Sequence, residues 1–146
     1  MGSNTAPWTL TIPSDLRLLG LARAFVEAVC HVAGFDQPTT HAIVLASDEA
    51  TNNVMRHAHR DRPDAPLRIQ CFIRPDALEI RMHDEGEPFD LAAVPNLDPA
   101  ELRVGGRGVF LMRTIMDELS CERTGERGNV LRMLKRRPPH STPAAS

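Results

Sequence analysis

The chain has 146 residues and a formal net charge of −2, enough for one well-packed core and short for two. Its isoelectric point near 6.3 excludes a general electrostatic pull toward nucleic acid or anionic lipid, which leaves small molecules and other proteins as the expected partners. No apolar run approaches the ~20 residues of a bilayer span and no basic stretch leads into an apolar one at the N-terminus, so a cytoplasmic protein is expected.

Trp8, Leu10 and Ile12 alternate with polar residues ahead of Ser14, which predicts a short strand and then a helix with Ser14 as N-cap. Leu18, Ala22, Phe25, Val29 and Val32 recur at helical spacing as far as Gly34, the expected stop. A second helix is predicted to begin between Asp36 and Pro38 and to run through Ile43, Ala46, Ala50 and Val54 to about Ala58. His59 to Pro66 reads as a polar loop. Leu67, Ile69, Cys71 and Ile73 then alternate with other residues, Pro75-Asp76 turns the chain, and Leu78, Ile80 and Met82 alternate again, the pattern of a hairpin.

From Gly86 to Arg103 periodicity is lost and prolines stand at 88, 95 and 99; a loop of that length inside a compact domain is usually functional, and this one is expected to be mobile. Gly105-Gly106-Arg107-Gly108 opens a third helix faced by Val109, Met112, Ile115 or Met116, and Leu119. Two strands, about Ser120 to Thr124 and Val130 to Lys135, flank a turn from Gly125 to Gly128. The tail from Arg136 is rich in proline and small residues and is expected to be disordered. Cys30, Cys71 and Cys121, widely spaced among apolar neighbours, suit reduced core thiols rather than disulfides or zinc ligands. This order of elements predicts an α+β two-layer sandwich, with a mixed, mostly antiparallel sheet covered by helices on one face.

Three polar clusters carry chemistry. Glu49, Asn53 and His57 fall at i, i+4 and i+8 and therefore on one helix stripe. A carboxamide oxygen suits Mg²⁺ and a carboxylate one turn away can accept a proton from a nucleophile; the alternative is a solvated polar face, with His57 serving packing or the helix dipole. Asp84 follows Leu78, Ile80 and Met82 on the inward face of its strand, where a carboxylate needs a donor such as the amino group of adenine, with Gly86 letting the backbone approach a flat ring; the alternative is an aspartate that caps the turn. Gly106-Arg107-Gly108, leading straight into Val109, offers the free N–H groups and positive end of a helix to phosphate, or is simply a flexible connector. No P-loop lysine is present, and the glycines do not follow a strand in a βαβ unit.

Taken together and in this order, the clusters resemble the GHKL superfamily, whose ATP-binding domains share the Bergerat fold, and most closely its anti-sigma-factor serine-protein kinases. The likeness spans roughly Leu10 to Lys135, within a predicted domain of residues 8–135 flanked by flexible tails, 1–7 and 136–146. It implies ATP and Mg²⁺ as cofactors, Glu49 as activating base and Asn53 as metal ligand. It also implies Asp84 and Gly86 at adenine, with Gly106, Arg107, Gly108 and Val109 at the phosphates. The loop from Pro88 to Arg103 would be the nucleotide lid. The activity implied is transfer of phosphate to a serine of an anti-sigma-factor antagonist by a homodimer that also sequesters a sigma factor, without direct contact to nucleic acid or membrane. A binding module that holds nucleotide and regulates a partner without turnover is the alternative. Two positions depart from the superfamily pattern: Pro88 stands where glycine is common and removes an N–H, and Gly128-Asn129 replaces a glycine-threonine pair, with Asn129 still able to reach Asp84 or a water.

Overall fold

The computed structural model describes residues 6–94 and 106–137. In chain order these form β1 (Trp8–Pro13), α1 (Leu19–Ala33), α2 (Gln37–Asn53), β2 (Pro66–Ile73), β3 (Ala77–Asp84), α3 (Gly106–Ile115), β4 (Glu118–Arg123) and β5 (Asn129–Arg136). The sheet order is β1-β2-β3-β5-β4, and every pairing among the described strands is antiparallel. Alternation along β2 and β3 decides which face is buried: Leu67, Ile69, Cys71, Leu78, Ile80 and Met82 all point under the helices. Val26, Val29, Ile43, Ala46 and Met112 meet them from the helix layer. No helix among the described residues is long and apolar enough to cross a membrane.

Local chemistry explains the element ends, with a few differences from expectation. Asp36 caps α2 by accepting from the Thr39 N–H, and Gly34 ends α1 at φ +87°, a left-handed conformation that favours glycine. Ser14, however, caps nothing. Asp15 caps a short 3-10 turn at Leu16–Leu18, α1 starts only at Leu19, and Ser14 is buried. The inner face of α1 is Ala22, Val26, Val29, Cys30 and Ala33, whereas Val32 is 63% exposed. That face packs α1 against α2 and β2, and Val32, about 100° round the helix from it, falls outside the seam. At the other end of the chain, α3 stops at Ile115, so that Leu119, expected on its face, lies in β4, and β5 runs through Arg136, past the start expected for the tail.

The outer face of the sheet is polar and centred on Glu79, which is only 2% exposed. Burial alone would raise its pKa, but hydrogen bonds from Arg81, Arg74 and Arg132 hold the carboxyl below its ordinary value. The chain beyond β5 is fastened to the opposite end of the domain. Arg137 donates to the carbonyls of Ala33, Arg74 and Pro75, closing the C-terminus of α1 and the β2–β3 turn together. Arg137→Ala is expected to lower stability by about 1–3 kcal/mol, the scale of charge-assisted hydrogen bonds to otherwise unpartnered carbonyls. A urea melt with an unchanged midpoint would show that these contacts contribute nothing.

Candidate active site

Asp84 closes β3 on the helix side of the sheet, in the register dictated by Leu78, Ile80 and Met82. Its Oδ1 accepts from the Gly86 N–H at 2.8 Å and from Asn129 Nδ2 at 3.0 Å. One oxygen therefore caps the turn, while Oδ2 has no hydrogen-bond partner among the described residues. Asp84 borders a cavity of about 350 Å³, a volume within the range of small-molecule sites.

Asn129, 2% exposed, does more than meet Asp84. Its Nδ2 also donates to Glu87 O at 2.8 Å, and its Oδ1 accepts from the Phe89 N–H at 3.0 Å. One carboxamide thus fixes both the aspartate and the first residues of the segment that leads away from it. Further along, Arg113 of α3 donates to Leu91 O and Val94 O, each at 2.8 Å, so the start of the predicted lid is held from two elements. The remainder of that loop, from residue 95 to 103, lies outside the described residues.

On the opposite wall, α2 passes at Asn53 into a π turn, Val54–Ala58, in which the His59 N–H reaches Val54 O at 2.8 Å. Such wider turns cluster at functional sites. Of the stripe, Asn53 and His57 line the cavity, whereas Glu49, one regular turn before Asn53, does not. Glu49 instead stands beside the start of α3. A Cβ added to Gly108 would lie 2.9 Å from Glu49 Oε2 and 3.5 Å from Asn53 Nδ2, so the first and third clusters meet where only a glycine fits. The second cluster is sealed against the π turn in the same way, because a Cβ on Gly86 would lie 2.4 Å from Ala58 Cβ and 2.7 Å from Ala58 O.

Val109 reaches the cavity wall, joined there by Met112 and Leu131. Arg107 is exposed and does not line it. His57 lines the cavity beside Asn53, as the shared stripe has it, although packing or the dipole was its expected role. One wall residue escaped the sequence pattern. Cys121 was assigned to the core but is a cavity residue, its thiol pushed up to about 11 by burial first and by Asp84 second. Cys30 and Cys71 are core thiols, each pushed up to about 12 chiefly by burial.

A five-stranded antiparallel sheet under three helices, with a cavity between α2, the end of β3 and α3, is the architecture of an ATP-binding domain of the histidine kinase type. The family model described as a histidine kinase-like ATPase domain matches residues 12–135. The chain is 30% identical over 119 residues to the serine-protein kinase RsbW of Listeria monocytogenes serotype 4a (strain HCC23), covering 76% of each chain. It is 26% identical over 130 residues to the serine-protein kinase RsbW of Bacillus subtilis (strain 168), covering 84% of this chain and 81% of that one. Among solved structures, the RsbU and RsbW domains of Rv1364c from Mycobacterium tuberculosis share the fold with a TM-score of 0.62 at 14% identity, over 92% of this chain and 34% of that one. The blue-light activated histidine kinase domain of Erythrobacter litoralis EL346 gives 0.51 at 22% identity, over 85% and 61%. The chain belongs to the histidine kinase-like ATPase domain family and, within it, to the anti-sigma-factor serine-protein kinases.

Replacing Asn129 by leucine would remove three hydrogen bonds and leave the Phe89 N–H and Glu87 O without their partner. Calorimetry on the folded variant is expected to show ADP binding weakened about 10–100-fold, the equivalent of one or two buried hydrogen bonds. Undiminished affinity would detach Asn129 from the site.

Proposed function

We propose that the protein is a cytoplasmic ATP-dependent kinase that phosphorylates a serine of an anti-sigma-factor antagonist and, as a homodimer, sequesters a sigma factor when the antagonist does not engage it. The observation that carries this reading is the meeting of Glu49, Asn53 and Gly108 at the N-terminus of α3, at the far side of a cavity bordered by Asp84. Its polar groups are divided as phosphoryl transfer requires: an acceptor for the base at one end, and a carboxamide, a carboxylate and a helix N-terminus at the other.

In this reading the free Oδ2 of Asp84 accepts from the adenine amino group, while Gly86 keeps the backbone of that turn close to the helix wall. Gly106, Arg107, Gly108 and Val109 turn their end of α3 toward the phosphates, and Glu49 takes the proton of the incoming serine hydroxyl. The Asn53 carboxamide, with Glu49 beside it at Gly108, is a donor set that fits Mg²⁺, which is commonly held by one or two protein oxygens together with phosphate oxygens and water; Asn53 would hold it here, and when bound it would neutralise phosphate charge.

The position of Glu49 behind Gly108, off the cavity wall, favours one competing reading, a module that binds nucleotide and a partner without turnover. Glu49→Gln separates the two. For the kinase, ADP binding is expected to persist while phosphotransfer to a cognate antagonist falls ~10²–10⁴-fold, the usual consequence of losing a general base. Asn53→Ala is expected to weaken magnesium-dependent nucleotide binding itself. Wild-type protein that binds ATP but transfers phosphate to no antagonist, with Glu49→Gln indistinguishable from it, would establish the binding module instead.

A further inference from the structure

His59 ends the π turn in a stretch that reads as a polar loop, yet it is 1% exposed. Both ring nitrogens are engaged: Nδ1 lies 2.5 Å from Ser14 Oγ, and Nε2 lies 2.8 Å from the Glu85 amide nitrogen. A backbone N–H can only donate, so Nε2 is the acceptor, the ring proton sits on Nδ1, and Ser14 Oγ receives it. The peptide bond of Glu85 thereby selects one tautomer of the neutral imidazole.

Glu85 stands between Asp84 and Gly86. Its carbonyl accepts from Arg62 Nη2 at 2.8 Å, and Gly86 beside it is pressed against Ala58. Three neighbouring groups from the end of the π turn and the turn after it, Ala58, His59 and Arg62, therefore grip the base-binding segment at its Cα, its N–H and its carbonyl. Only the N–H contact depends on a protonation state. A proton added at Nε2 would set two donors against each other at 2.8 Å in a buried space, converting a hydrogen bond into a repulsion.

Resting on the reading of the cavity as the nucleotide site, we propose that His59 is a positioning residue that holds the Asp84–Gly86 segment in its binding conformation only while its imidazole is neutral. The charged groups facing the ring are the Asp84 and Glu85 carboxylates from the end of β3 and beyond, and the Arg62 guanidinium from the following turn; the end of β1 contributes the uncharged Ser14. Burial is the largest influence and holds His59 below its ordinary value of 6.5; Asp84 and Glu85 oppose it, and Arg62 reinforces it. The sign follows from linkage. A histidine with a depressed folded-state pKa contributes fully above about pH 6.5, and its contribution is lost as the pH falls from there through the folded-state value. Protonation shrinks the binding-competent fraction, so the apparent dissociation constant rises by the same factor.

The test compares ADP affinity between pH 7.5 and 5.0 in wild type, His59→Gln and His59→Phe. Glutamine can present an amide oxygen to the Glu85 N–H and does not titrate in this range; phenylalanine offers no acceptor. Wild-type affinity is expected to fall on acidification by ~10-fold more than that of His59→Gln, a difference that cancels the titration of the ADP phosphates. His59→Phe is expected to bind weakly throughout; if it does not fold, His59→Gln alone decides. In nucleotide-free wild type the amide resonance of Glu85 is expected to titrate together with the His59 ring. Identical pH profiles for wild type and His59→Gln, or a Glu85 amide indifferent to the His59 titration, would overturn the inference while leaving the ATP site standing. Absence of ADP binding at every pH would instead overturn the nucleotide-site reading, and the inference with it.

Discussion

A single buried carboxamide is the point on which the site turns. Asn129 begins β5 directly opposite Asp84, the last residue of β3, so the antiparallel register sets the two side chains side by side at 3.0 Å. From there Asn129 also binds Glu87 O and the Phe89 N–H, which orients the chain leaving the sheet. A buried amide with both its donor and acceptor ends in use has little freedom to rotate. Asp84 consequently has one oxygen committed and the other without a hydrogen-bond partner among the described residues, so that the arrangement depends on strand register.

Glycine provides the second constraint, at two positions where chain segments touch. Gly86 lies against Ala58, and Gly108 against Glu49 and Asn53. Each contact joins α2 or its π turn to another polar cluster, so three short segments far apart in sequence converge on one cavity. The continuous run of α2 into its π turn links the two contacts, Glu49 and Asn53 lying against Gly108 and Ala58 against Gly86. Alanine in place of Gly86 would need the backbone at Ala58 to move, while alanine in place of Gly108 would press on the Glu49 carboxylate.

Much of this was legible from residue patterns, where the determining physics is local. Period-two alternation in β2 and β3 placed Asp84 on the buried face, and Gly34 and the Asp36–Pro38 start marked the ends of α1 and α2. Asn129 was expected to reach Asp84, and does. What escaped is held by distant partners. Ser14 looked like a cap, but its hydroxyl is taken by His59, a contact across the fold that no local pattern encodes. His59 itself sits in a polar run, and only the fold reveals that the Glu85 N–H needs an acceptor there. On α1, Ala22 and Val29 are buried and Leu18 and Phe25 pack on the core as expected, and only Val32, at the edge of the apolar arc, faces away. Arg113 and Arg137 bind backbone carbonyls of remote segments, which composition cannot announce.

The central claim is that Asp84 reads the amino group of adenine at one end of an ATP site. Calorimetric titration with IDP beside ADP, in the presence of magnesium, tests it most directly, because inosine carries a carbonyl where adenine carries the amino group. The account predicts that IDP binds at least ~10–100-fold more weakly, the effect of losing a hydrogen bond to a partly buried carboxylate and setting an oxygen against it. Equal affinities for the two nucleotides would contradict it.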